Sequence, residues 1–475
     1  MKHRIISTLF LFILVGIVHA GDVPAFKRQV IQIPISSPCW VQLSWKDING
    51  DRLVDLMALV QRDNKAFIYI QNGSGFPSAL VQSIELSEGT AWVTLYDINE
   101  HHGKEILISK SEGLVYLPQN NGVFEMEPQK LIEARQVFLN NPSPLVIEPN
   151  NWPDDMKNAI PVIFSDHTII YKCDENYRLN VGRKIEHEFN NTMEKFNWNS
   201  WSVGSKKSDQ ILIRTTAQEK SKERDEQDPT EENEYIKKMF EQTKTKRQQD
   251  CFIEKRDINN DGNKDVILLH LQQDIDVKTN IIIFKRRRSG ELPEKPDQIL
   301  RCRGMPIIGD YPRPTYCKPF FDINNDGFSD IVFMEPEMIV SVSALFEILT
   351  SEGMDWTLTV RLYKSGKGFS DRADFKMDFK AILPFSENFA DLINIEGDFN
   401  ADGRNDLIIR RSTIQSDIYV SSLSNGFFEQ QPRLRLDTPL KGEMSVEDLN
   451  SDGISDIYMI DYEKGRITLL LSESI

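Results

Sequence analysis

The sequence predicts an all-β chain made of a strand-rich unit repeated about seven times. Two observations carry this. A nine-residue loop rich in oxygen-bearing side chains recurs along the chain, each copy followed by a short apolar run. A tight-turn signal, Asn-Gly or Gly-x-Gly followed by an aromatic, recurs downstream of further strand-like runs.

The loop is clearest at Asp322 to Asp330. Asp322, Asn324, Asp326 and Asp330 stand at positions 1, 3, 5 and 9, Gly327 stands at position 6, and Phe328 offers a backbone carbonyl at position 7. Alternate residues of a tight loop converge, and the glycine supplies the positive φ that the turn needs. Hard oxygens in that number suit Ca2+ better than zinc. Three further clean copies read Asp257, Asn259, Asp261, Asn263, Asp265; Asp398, Asn400, Asp402, Arg404, Asp406; and Asp448, Asn450, Asp452, Ile454, Asp456. The first copy along the chain, Asp47, Asn49, Asp51, Leu53, Asp55, has Arg52 where glycine is expected, at a cost of about 1 kcal/mol for a positive φ.

Two copies are degraded. The second keeps Asp97 and Asn99, puts His101 at position 5 and lengthens position 9 to Glu105, so the fold is expected to persist there and the metal to be weak or absent. A third survives as spacing alone, from Trp152 to Ile160. About five structural Ca2+ sites are therefore expected. A lone copy would be an even choice between a metal site and an Asx turn, and recurrence before a strand tips the choice to metal.

The runs after the loops, Leu56 to Val60, Ile106 to Ile108, Val266 to Leu269, Leu407 to Ile409 and Ile457 to Ile460, read as buried strands. This separates the loop from an EF-hand, whose loop lies between helices and closes with Glu at position 12; here position 12 is Leu268, Phe333, Ile409 or Met459. Position 9 is expected to take over the closing role. Turn signals follow at Asn72-Gly73, Asn121-Gly122, Asn425-Gly426 and Gly366 to Phe369, so the unit is strand, loop, strand, turn, strand, turn, strand.

Loops and turns together resemble the FG-GAP or VCBS-type repeat of integrin-alpha-like β-propellers, over about residues 26 to 475. The resemblance implies a seven-bladed β-propeller with calcium-binding loops between strands, and ligands met on the face opposite those loops or along turns between blades. The last unit is short of a strand, and Lys27 to Pro34 is placed to supply it, closing the ring by pairing the two chain ends.

The N-terminus reads as a secretory signal peptide over residues 1–20: Lys2 and Arg4, an apolar run from Ile5 to Val18, then Val18-His19-Ala20 before Gly21. The expected localisation is secreted, extracellular or periplasmic, with residues 21–475 as one propeller and no membrane span. The formal charge of −16 argues against nucleic acid as the partner, and it fits either a multi-site calcium protein or ordinary solubility charge. Five cysteines, Cys39, Cys173, Cys251, Cys302 and Cys317, form no Cys-x-x-Cys motif; Cys302 and Cys317 are near enough in sequence to bridge a loop, with the connectivity open. Residues 204–250 are densely charged and read as an insertion, a solvated helix or an irregular arm, and Ser343 to Leu349 reads as a short helix.

No catalytic residue set is read. The five histidines after residue 20, His101, His102, His167, His187 and His270, sit in no known catalytic pattern. The expectation is a non-enzymatic binding or scaffold module for a protein or glycan ligand. The alternative is a polysaccharide-active lyase or hydrolase whose acid and base come from different blades.

Overall fold

A computed structural model describes residues 23–73, 75–77, 80–98, 103–133, 145–146, 159–163, 167–173, 179–186, 209–214, 249–272, 278–309, 316–336, 354–381, 392–412, 414–422, 427–437 and 442–473. The regular structure there is β-strand, with one short 3-10 turn at Gln61–Asp63. Among the described residues no helix is long and apolar enough to cross a membrane. The signal peptide, the third degraded loop from Trp152 to Asn158, and Ser343 to Leu349 lie outside the described residues.

The strands meander antiparallel through successive sheets. The first sheet runs Val41–Lys46, Asp55–Val60, Lys65–Tyr69, Gln82–Glu85, in that spatial order. The same order recurs in Phe320–Phe321, Asp330–Pro336, Met354–Arg361, Phe375–Ala381 and in Ile393–Gly397, Asp406–Arg410, Gln415–Tyr419, Leu434–Asp437. In each unit an oxygen-rich loop joins the first strand to the second, so a repeated sequence phrase becomes a repeated corner. The second strand of each unit is buried on both sides, which is why it reads as a continuous apolar run, as in Asp55–Val60.

Sheets adjacent in the chain pack face to face through shared cores. Leu56, Ala58 and Val60 pack with Ile467, Leu469 and Leu471 of the last sheet, while Met57 and Leu59 pack with Val93, Leu95, Ile106 and Ile108 of the second. Ile408 and Ile418 of the sixth sheet meet Met459 and Leu470 of the last, and one larger core joins the fourth, fifth and sixth. Period-2 alternation thus sends odd and even side chains of one strand into different cores. Sheets stacked face to face in sequence order are propeller blades.

The chain ends meet. Phe26–Gln32 pairs antiparallel with Arg466–Ser472, Phe26 opposite Ser472 and Gln32 opposite Arg466, as the outer strand of the last sheet. Two strands come from connections between sheets, Leu145–Val146 after the second and Asp209–Arg214 after the third, which is made of Ala159–Ile163, His167–Cys173 and Leu179–Glu186. Leu145–Val146 pairs parallel with the inner strand Thr90–Tyr96, and Asp209–Arg214 pairs antiparallel with the inner strand Gln249–Arg256. Asp209–Arg214 falls within residues 204–250, read from the sequence as a charged insertion; residues 204–208 and 215–248 lie outside the described residues. Cys302 is a buried free thiol, so the bridge considered between it and Cys317 is not formed; Cys302 stands opposite Thr279 within a sheet.

Candidate metal loops

The five loops share one geometry. The position-1 carboxylate accepts the backbone N–H of position 6: Arg52 to Asp47 at 2.9 Å, Gly262 to Asp257 at 2.7 Å, Gly327 to Asp322 at 2.9 Å, Gly403 to Asp398 at 2.7 Å and Gly453 to Asp448 at 3.0 Å. Position 5 accepts the N–H of position 7, from Leu53, Asn263, Phe328, Arg404 and Ile454, at 2.8–3.0 Å. The position-3 amides of Asn49, Asn259, Asn324, Asn400 and Asn450 donate to the position-5 carboxylates of Asp51, Asp261, Asp326, Asp402 and Asp452 at 2.9–3.1 Å. Positions 1, 3 and 5 are therefore brought together at the loop mouth.

Position 6 is left-handed in every copy, with φ of 84° at Gly327 and 74° at Arg52, as the spacing required. Position 4 is left-handed as well: Asn260, Asn325, Ala401 and Ser451 have φ of 54–60°, and Gly50 has 82°. Sequence reading missed position 4. The available signal was Asn or Gly at three of its five occurrences, since both residues tolerate that conformation.

Position 9 has a second task. Asp55, Asp265, Asp330, Asp406 and Asp456 are all fully buried. One oxygen of each accepts the N–H of position 2: Ile48 at 2.8 Å, Ile258 at 3.3 Å, Ile323 at 3.0 Å, Phe399 at 2.8 Å and Leu449 at 2.7 Å. The other accepts an N–H at or just beyond the end of the third strand: Gln71, Arg286, Tyr363, Ser421 and Ser472, at 2.6–2.9 Å. Each carboxylate pins its loop to the strand two places outward. Burial pushes these carboxyls up, against the N–H groups that pull them down: to about 6 for Asp55, Asp265 and Asp456, and to about 7 for Asp330 and Asp406. The position-2 side chains are wholly buried anchors, a recurring apolar residue the sequence showed and the ligand reading passed over.

Neighbouring loops also hold one another. Lys104 N–H donates to the Ile48 carbonyl at 2.7 Å, Ser329 N–H to Ile258 at 3.3 Å, Ser455 N–H to Asp398 at 2.8 Å, and the Gln71 side chain to Leu449 at 2.7 Å. The degraded second loop keeps the pin, with Ile98 N–H donating to Glu105 at 3.2 Å. Asn99, His101 and His102 lie outside the described residues. Among the described residues no group of three or more His, Cys, Asp or Glu side chains converges as a metal cage, because only two carboxylates per loop face the mouth and the third is committed to backbone.

No family model matches the chain, and no curated protein does. Among solved structures, two crystal structures of BBS1N in complex with ARL6DN, one soaked with lead and one with mercury, align at 9% identity over 95% of this chain and 98% of theirs, with TM-scores of 0.30 and 0.31. The reading of the fold rests on the strand pairing and core packing above.

Proposed function

We propose that the chain is an exported, seven-bladed propeller stabilised by calcium in its five near-complete loops, and that it acts as a non-catalytic binding or scaffold module for a protein or glycan ligand. The observation that carries this is the shared geometry of the five loops, all at the same corner of their blades. The donor set fits a hard cation: oxygens from Asp, Asn and backbone, with no softer ligand. A carboxylate has about four lone-pair sites, so the hydrogen bonds that shape each loop leave oxygen free for a cation, with water completing the shell. In the absence of a cation, the paired carboxylates of positions 1 and 5 repel each other at each loop mouth.

Support for a binding role comes from what the chain does with its inner edges. The inner strands of the second and fourth sheets are paired with Leu145–Val146 and Asp209–Arg214, so the chain takes up those two inner edges itself and leaves rims and turns for partners. Calorimetric melting of the full chain, with calcium and then with a chelator, tests the reading. Calcium should raise the melting temperature markedly and reversibly, and a curve indifferent to both overturns the metal claim.

A further inference from the structure

Away from the loops, the two outer strands of the fifth sheet and Arg411 of the sixth line an open surface cavity of about 320 Å3. Its walls carry Asp355, Asp378, Lys380 and Arg411, with Thr357 between them and the nearly buried Trp356 and Phe379 behind. Asp355 and Lys380 stand directly opposite each other on adjacent strands. Opposite charges so placed ordinarily pair, yet neither forms an ion pair among the described residues. Arg411 lies 3.7 Å from Asp417, outside hydrogen-bond distance, and Asp417 is already held by Arg435 at 2.8 and 3.2 Å. Asp378 is oriented by the Thr357 hydroxyl, which donates to it at 2.6 Å.

From this we infer that the cavity is a subsite for a neutral saccharide unit. Two carboxylates and two cations balance, which gives no net attraction for a phosphate, a polyanion or a polyamine. Each sugar hydroxyl both donates and accepts, and this wall offers both kinds of group: Asp355 faces Lys380, Asp378 and the Thr357 oxygen are further acceptors, and Arg411 is a further donor. A zwitterion such as an amino acid needs its cationic and anionic partners at opposite ends of a site, and here they interleave. The volume lies at the small end of the roughly 300–1,000 Å3 usual for small-molecule sites, room for a short saccharide rather than an extended chain. The walls are strands, so the groups are held without loop rearrangement.

This rests on the binding-module reading and names a ligand class for it. Saturation-transfer NMR on the full chain, titrated with free glucose, galactose, mannose, N-acetylglucosamine and their uncharged disaccharides, tests it. Asp355→Ala and Lys380→Ala are both at the cavity wall and outside the core, and the melting curve of each is recorded beside the wild type. The expected result is saturable binding of at least one uncharged sugar, with Kd of about 1 mM for a single small subsite. Each variant should weaken it by about tenfold with melting unchanged, and glycine should not compete. Three results overturn the subsite: no saturable binding of any uncharged sugar, binding unchanged in both variants, or displacement by glycine. Calcium-dependent melting is read on the same samples. A chain that keeps its calcium response and takes no sugar refutes the subsite alone, and a chain that lacks both refutes the proposed function with it.

Discussion

Replacing Asp330 and Asp326 one at a time separates the two jobs that one loop performs. Asp330 is wholly buried, and its two oxygens accept Ile323 N–H at 3.0 Å and Tyr363 N–H at 2.9 Å. Asp330→Ala strands both donors away from water, at about 1–3 kcal/mol each, so about 2–6 kcal/mol in all. Against a typical total of about 5–15 kcal/mol, that is a large fraction of the stability. Tyr363 would lose its tether as well, and its ring packs on Phe328 and Phe369 at centroid distances of 5.4 and 5.2 Å. Asp326, by contrast, is exposed and caps one N–H, that of Phe328, at 3.0 Å. Asp326→Ala without calcium should cost about 0.5–1.5 kcal/mol. Near-UV circular dichroism during denaturant titration, run in calcium and in chelator, reads both. Asp330→Ala should be strongly destabilised in both solutions, whereas Asp326→Ala should show only that smaller loss in chelator and should lose this loop's share of the calcium response. An Asp330→Ala chain as stable as wild type in chelator would refute the pin, because it would leave position 9 with no role except as a ligand.

Two further outcomes follow from local geometry. Ala401 holds φ of 54° where other loops use Asn, and left-handed backbone costs an ordinary residue about 1–2 kcal/mol; Ala401→Asn should therefore raise the melting temperature by a few degrees, read by calorimetry, and a fall would mean that the side chain meets an obstacle at that site. Ile31 is 1% exposed and sits in the strand that joins the two chain ends, opposite Ile467; Ile31→Ala should cost about 2–5 kcal/mol in denaturant titration, and a loss below about 1 kcal/mol would show that the end-to-end pairing contributes little.

What the sequence made legible was spacing. The interval from Asp322 to Asp330, the glycine at position 6 and the apolar run after position 9 fixed the corner and the strand behind it, and Lys27 to Pro34 announced the strand that pairs with the chain's end. What it hid were facts of conformation and of distance. Nothing in Ala401 or Ser451 marks a left-handed residue, because alanine and serine carry no preference for it. The strand Asp209–Arg214 was masked by its surroundings, since charge density over a long window outweighs a three-residue apolar centre. The cavity was invisible because Asp355, Lys380 and Arg411 come together only through strand pairing and sheet stacking. Position 9 was legible as an acidic residue but not as a backbone cap: an aspartate that ligates a cation and one that caps buried N–H groups look the same in a sequence.

The degraded second loop shows which of those two roles the fold requires. There the ligand positions have drifted, with His101 at position 5, yet position 9 remains acidic as Glu105, fully buried and accepting Ile98 N–H at 3.2 Å. The neighbouring Lys104 still bonds to Ile48 of the first loop at 2.7 Å, so the corner is in register with the next blade even where its mouth has lost the calcium pattern. Burying a carboxylate is costly unless its oxygens are satisfied, and here one of them satisfies a backbone N–H that would otherwise be stranded. The pin is thus the feature this corner keeps where the calcium pattern is lost from its sequence. Glu105→Ala should then destabilise the chain by about 1–3 kcal/mol for the stranded Ile98 N–H, by the same amount with calcium and with chelator. Glu105→Gln, which keeps an acceptor oxygen at the same reach, should recover most of that loss. If the alanine variant were destabilised only in calcium, Glu105 would be a metal ligand and the separation of pin from metal would fail at the loop where it is easiest to see.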